Sequence, residues 1–157
     1  MRNLLTLLLI LTSLFSFGFS GYLIWQRYRP LPPLPAVASA KAGPITLAIP
    51  DLGISLPVLT EPLTPKGVTY EPHGNNLVFY GHNWPNILRP FQKAQVGQKI
   101  IIGYADGSSK QFEINSLTIV PGSNIEILQP TDYQLLTLYT CTGFLDRQRL
   151  IATAYPI

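Results

Sequence analysis

The sequence predicts an all-β domain, a sandwich or closed barrel of short strands, with a membrane-spanning helix in front of it. Three observations predict it. From Pro44 onward, short apolar runs rich in Ile, Val, Leu, Thr and Tyr alternate with turn residues. The 157-residue chain carries 15 prolines and 12 glycines, which punctuate turns and break helices. Beyond Pro44 no window sustains a helical apolar period for more than about ten residues. At this length the chain is expected to hold one folded domain.

The elements follow in order. Residues 1–26 read as the anchor, because Leu4 to Trp25 is a run of 22 uncharged residues. As a helix it would span roughly 33 Å, against about 30 Å of hydrocarbon core. Tyr22 and Trp25 stand at its far end, where aromatic rings favour the headgroup region. A cleaved signal peptide competes, since Ala38-Ser39-Ala40 has the small-residue pattern of a cleavage site. The apolar run is longer than a signal core and lies far upstream of that site, which favours retention. Orientation is not set by charge, since Arg2 flanks one end and Arg27 and Arg29 the other. Residues 27–43 read as a Pro-rich linker, with Pro30, Pro32, Pro33 and Pro35 favouring an extended, semi-rigid spacer.

Residues 44–157 form the domain. Candidate strands are Ile45–Ile49, Leu56–Leu59, Asn76–His82, Gln98–Tyr104, Gln111–Val120, Gln134–Cys141 and Arg149–Tyr155. Asp106-Gly107 is a hairpin signal between two of them. Asn86–Ala94 has room for a short helical turn, interrupted by Pro90.

Charge and cysteine content exclude several functions. The net charge of +3 comes from the first 43 residues, which hold four bases and no acid. The domain has seven bases against eight acids, a net of −1, so it lacks the basic stripe of a nucleic-acid binder. One cysteine permits neither an internal disulfide nor a cysteine-cluster metal site.

That cysteine is the first candidate for chemistry. Cys141 ends an apolar strand and is followed by a Thr-Gly turn, where a side chain can reach solvent. An unpaired thiol in an exported domain is a liability that a function would explain. The bland alternative is a small buried hydrophobe. His82 also ends a strand, and Gly81 before it permits a close backbone approach. His73, in the turn Pro72-His73-Gly74-Asn75, is the weaker histidine candidate. Arg149 starts the last strand, and a loop of residues 142–148 returns it antiparallel beside Cys141. Arg147 falls within that loop and reads as a solvated charge beside Asp146. A Cys–His pair with a cation nearby is the minimum set for acyl transfer.

The segment Thr137-Leu138-Tyr139-Thr140-Cys141 resembles the Thr-Leu-x-Thr-Cys motif of the sortases, cysteine transpeptidases anchored outside the membrane of many bacteria. Arg149-Leu150-Ile151 is similar to that family's Arg followed by an apolar strand. Gly74 to His82 resembles its Gly-x-Asn…Gly-His segment, and Ile49-Pro50-Asp51-Leu52-Gly53-Ile54 the stretch that opens its domain. The resemblance covers about residues 45–155, in order.

The resemblance implies a closed eight-stranded β-barrel with short helical turns and an active-site groove at one rim. It implies Cys141 as nucleophile, His82 as acid/base, Arg149 as the group that steadies substrate and oxyanion, and Thr140 as a substrate contact. The implied partners are secreted proteins bearing a C-terminal sorting signal of the Leu-Pro-x-Thr-Gly kind. An amine acceptor, on a cell-wall peptide or a pilin lysine, completes the reaction, and no cofactor or metal is implied. The implied place is the cell membrane, single-pass, with the domain on the extracytoplasmic side. Asn83 follows His82 where many sortases have Arg or another residue, and no acidic cluster matches the calcium site of some members.

Two other readings compete. The cysteine-dependent L,D-transpeptidases share a β-rich fold and a nearby Arg, but carry a Gly before the cysteine where this chain has Thr140. A non-enzymatic stalked β-domain for binding or scaffolding would leave Cys141 buried. Papain-like order is excluded, since there the cysteine precedes the histidine.

Overall fold

The computed structural model describes residues 2–28, 43–61, 65–124 and 126–157; within the first helix it describes the side chains of residues 10 and 12–25. That helix, α1, runs Arg2–Tyr28. Its described large apolar side chains are exposed, from Leu23 at 49% to Phe17 at 76%. Among the described residues no helix is long and apolar enough to cross a membrane. The leucine-rich residues 4–9 of the expected span fall outside the described side chains, and Thr12, Ser13, Ser16 and Ser20 dilute the remainder. The expected linker, 27–43, lies almost entirely outside the described residues.

Seven strands follow: β1 (Pro44–Ile49), β2 (Ile54–Leu59), β3 (Val68–Gly81), β4 (Lys99–Tyr104), β5 (Ser109–Pro121), β6 (Thr131–Thr142) and β7 (Gln148–Pro156). They close into a barrel in the order β1-β2-β3-β6-β7-β5-β4. All pairs are antiparallel except β2–β3 and β3–β6. Closure leaves no free sheet edge.

Among the described residues the strands number seven, against the eight expected. β3 does the work of two strands. Val68 and Thr69 pair with Val58 and Leu59 of β2, whereas Gly74–Gly81 pair with β6. Between these two ladders sits Pro72, where its missing N–H costs no ladder bond. Gly74, at φ 61, bends the strand there, and the register shifts between Gly74 and Asn76. Chain that would otherwise turn and begin a new strand thus runs on as one.

Alternation sets the core. Leu47 and Ile49, Ile100 and Ile102, Phe112 and Ile114, and Leu136 and Leu138 are each two apart and fully buried in one cluster. The β4–β5 connection is the hairpin read from Asp106-Gly107: Gly107 takes φ 83, and Asp106 accepts from the Ser108 N–H at 2.9 Å. The segment after β3 gives only a 3₁₀ turn, Pro90–Lys93, pinned to the core by fully buried Phe91.

Candidate active site

Three strands end or begin side by side at one rim. On β6, Leu136, Leu138 and Thr140 point inward, so Thr137, Tyr139 and Cys141 share the outer face. On β7, Leu150, Ala152 and Ala154 join the core, so Arg149, Ile151 and Thr153 face outward. Cys141 and Arg149 are direct partners in the β6–β7 ladder. The β3–β6 ladder ends at Gly81↔Thr140, so the next residues, His82 and Cys141, stand level with one another. The register therefore lines up His82, Cys141 and Arg149 across three neighbouring strands.

Each side chain has a local support. The His82 ring stacks on Trp84, with centroids 4.4 Å apart and planes 10° from parallel. The chain folds back after it: Leu88 N–H donates to the His82 carbonyl at 3.1 Å, and Arg89 N–H to the Trp84 carbonyl at 3.0 Å. Gly81 is closely packed here: a Cβ there would lie 3.2–3.3 Å from Leu88, Val68 and Ile87, each of which would have to give way. Below the site, Tyr80 and Tyr139 stack at 5.2 Å on the outer face. Burial there pushes the Tyr139 phenol up to about 12.

Arg149 is held by its own loop. Its Nη1 donates to the carbonyls of Asp146, at 2.8 Å, and Gln148, at 2.9 Å. Those two bonds use both Nη1 hydrogens and leave Nη2 and Nε, the other side of the fork. The loop reaches this shape through left-handed backbone at Leu145 (φ 54) and Asp146 (φ 56). Gly122 lies against the guanidinium, where a Cβ would come within 3.3 Å of Nη1.

Cys141 is half-buried and unpaired. Burial raises its thiol above the ordinary value, the Arg149 charge opposes that rise, and Asp146 adds to it. The thiol is thus held in surroundings that disfavour its charge, beside the Arg149 cation, which favours the thiolate. Gln92 Nε2 donates to the Cys141 carbonyl at 3.3 Å, and Thr142 Oγ1 donates to Gln92 Oε1 at 3.0 Å.

The remaining candidates lie elsewhere. His73 lies mid-strand in β3, at the far end of the β3–β6 ladder beside the Gly74↔Thr131 pair, with Nε2 3.5 Å from a Glu71 carboxylate oxygen. Along β6 that is about 30 Å from Cys141. Arg147 is exposed in the β6–β7 loop, and its carbonyl accepts from Gly122 N–H at 2.8 Å. Thr140, expected to contact substrate, is 1% exposed, and its hydroxyl donates to the Gly81 carbonyl at 2.8 Å. It ties β6 to β3 one residue before Cys141 and His82. A cleft of about 560 Å³ opens along Asp51, Leu52, Pro85, Arg89, Pro90 and Lys93, and none of the three aligned residues lines it. Among the described residues no group of His, Cys, Asp and Glu is placed to hold a metal ion.

Sequence reading missed Trp84, Gly122 and Gln92. Trp84 carried a usable signal, an aromatic two residues past a strand-end histidine. Gly122 and Gln92 carried none, since their contacts come from segments 27 and 49 residues away.

Known proteins share this fold. The family described as Sortase domain matches residues 47–157. Among curated proteins, none matches the chain. Solved structures with the same fold include sortase A of Listeria monocytogenes, with a TM-score of 0.63 and 19% identity, covering 71% of this chain and 85% of that one. A lid mutant of sortase A from Corynebacterium diphtheriae aligns with a TM-score of 0.65 and 21% identity, over 75% of this chain and 72% of that one. The Group B Streptococcus pilus island 1 sortase C2 aligns at 0.66 and 18%, over 77% of each. These identities carry the fold, and the domain match carries the family: the chain belongs to the sortases.

Proposed function

We propose that the protein is a cysteine transpeptidase in which Cys141 is the nucleophile, His82 the acid/base and Arg149 the oxyanion donor. The observation that carries this reading is the pairing of Cys141 with Arg149, with His82 following directly on the last β3–β6 pair beside them. Family membership supports transpeptidation in general. The proposed donor is a secreted protein with a C-terminal sorting signal of the Leu-Pro-x-Thr-Gly kind. The proposed acceptor is an amine of a cell-wall peptide or a pilin lysine.

The chemistry runs in two displacements. Neutral His82 takes the Cys141 thiol proton, the thiolate attacks the Thr carbonyl carbon, a C–S bond forms, and the carbonyl oxygen becomes an oxyanion facing the free side of the Arg149 fork. Collapse breaks the C–N bond, and imidazolium His82 gives its proton to the departing glycine amine. The acceptor amine then attacks the thioester, neutral His82 takes its proton, and the thiolate leaves. Water in place of the amine gives hydrolysis.

The proposed setting is a single-pass anchor in the cell membrane, with the domain extracytoplasmic. It rests on the 22 uncharged residues from Leu4 to Trp25 and the prolines that follow.

Peptide cleavage tests the catalytic assignment. Cys141→Ala abolishes cleavage of Leu-Pro-x-Thr-Gly peptides while the domain stays folded, and His82→Ala nearly does so. His73→Ala leaves the rate unchanged. Equal losses from the two histidines would remove His82 from the mechanism.

A further inference from the structure

The β3–β6 ladder stops at Gly81↔Thr140, one residue short of His82 and Cys141. Beyond that point one side chain takes over the connection. The Gln92 amide donates to the Cys141 carbonyl at 3.3 Å and accepts from the Thr142 hydroxyl at 3.0 Å. Its two ends thus hold the last two residues of β6. Gln92 itself is firmly based. It sits in the 3₁₀ turn Pro90–Lys93, where Pro90 fixes φ and Phe91 is fully buried. That turn is tied back to the histidine segment through Phe91 N–H to the Leu88 carbonyl, and Leu88 N–H to the His82 carbonyl, each at 3.1 Å.

Resting on the reading of Cys141 as nucleophile and His82 as acid/base, we propose that Gln92 is a positioning residue for the transpeptidation. Its amide locks the strand end that carries the thiol to the turn that follows the imidazole, and so sets the separation of the two reacting groups. Gln92 is exposed, so water replaces its hydrogen bonds when it is removed and stability changes little. Alignment is what is lost, and a misplacement of about 1 Å costs up to about 10²-fold in rate.

The test measures how strongly the imidazole assists the thiol, in the full chain and without any peptide. Iodoacetamide alkylation of Cys141 is timed at neutral pH in wild type, His82→Ala, Gln92→Ala and the double variant. His82→Ala is expected to slow alkylation about tenfold in wild type, as loss of a neighbouring base would. In the Gln92→Ala background the same change should cost less than about twofold, with thermal midpoints unchanged. Gln92→Glu, which when ionised accepts from Thr142 and cannot donate to the Cys141 carbonyl, should behave like Gln92→Ala. It also serves if the alanine variant fails to fold. A His82 effect of the same size with and without Gln92 overturns the clamp and leaves the catalytic pair standing. No His82 effect in wild type overturns the pair, and the clamp with it.

Discussion

In the proposed mechanism the Arg149 guanidinium has two tasks. Nη1 is spent on the carbonyls of Asp146 and Gln148, which leaves Nη2 and Nε for the proposed oxyanion. A lysine has one ammonium for both tasks, so Arg149→Lys should recover little of the roughly 10²-fold or greater loss in turnover expected for Arg149→Ala. The same guanidinium opposes the burial that raises the Cys141 thiol, whereas Asp146 reinforces it. Alkylation of Cys141 followed against pH should therefore show a midpoint above the usual thiol value of about 8.5. Arg149→Gln removes a charge that favours the thiolate, so the midpoint moves up. Asp146→Asn removes one that disfavours it, and the midpoint moves down. A shift of either variant in the opposite direction would show that the side chain acts on the thiol through packing and not through charge.

At the scale of elements, two connections carry the site and they are built differently. The β6–β7 loop stores strain: Leu145 and Asp146 both take left-handed backbone, and Leu145 is 70% exposed. Left-handed geometry costs a residue with a Cβ roughly 1–2 kcal/mol, and an exposed Leu returns little through burial. Leu145→Gly is expected to raise domain stability by about 1 kcal/mol, read as a higher denaturant midpoint with an unchanged slope. The β3–β6 seam stores no strain and depends on a buried hydroxyl. Thr140→Val keeps the shape and strips the donor from the Gly81 carbonyl, at a cost of about 1–3 kcal/mol. Equal stability of the valine variant and wild type would mean that water reaches that carbonyl. Both connections bear on what could be read in advance. Alternation along β7 places Arg149 beside Cys141, because a strand's parity and a seven-residue loop are local facts. The same parity, applied to Leu136, Leu138 and Thr140, already turns Thr140 inward, whereas its expected substrate contact came from family likeness alone. The two-ladder course of β3 was hidden, since Pro72 and Gly74 look like the end of a strand until its neighbours on either side are known.

At the scale of the molecule, the described core is drawn from Leu47 to Ala154, with none of it from α1. Deleting residues 1–43 is therefore expected to leave a folded domain with a cooperative thermal transition like that of the full chain. The full chain should stay with membranes through a high-salt wash, and the truncated domain should not. Release of the full chain by salt would overturn the anchor. The uncharged run from Leu4 to Trp25 made that segment stand out in the sequence; what it did not reveal is which way the domain faces, because basic residues flank both ends.

The pairing of β3 with β6 brings together residues 59 apart in the chain, and β4 and β5 must be laid down between them. Contacts of such long sequence separation form only after large loops have closed, and barrels dominated by them fold in milliseconds to seconds. Cys141 and the end of β3 come level only when that seam has zipped. On the proposed reading, a chain still folding therefore carries a cysteine without its base, slow to react with anything it meets. Chemical competence would then arrive together with the finished barrel.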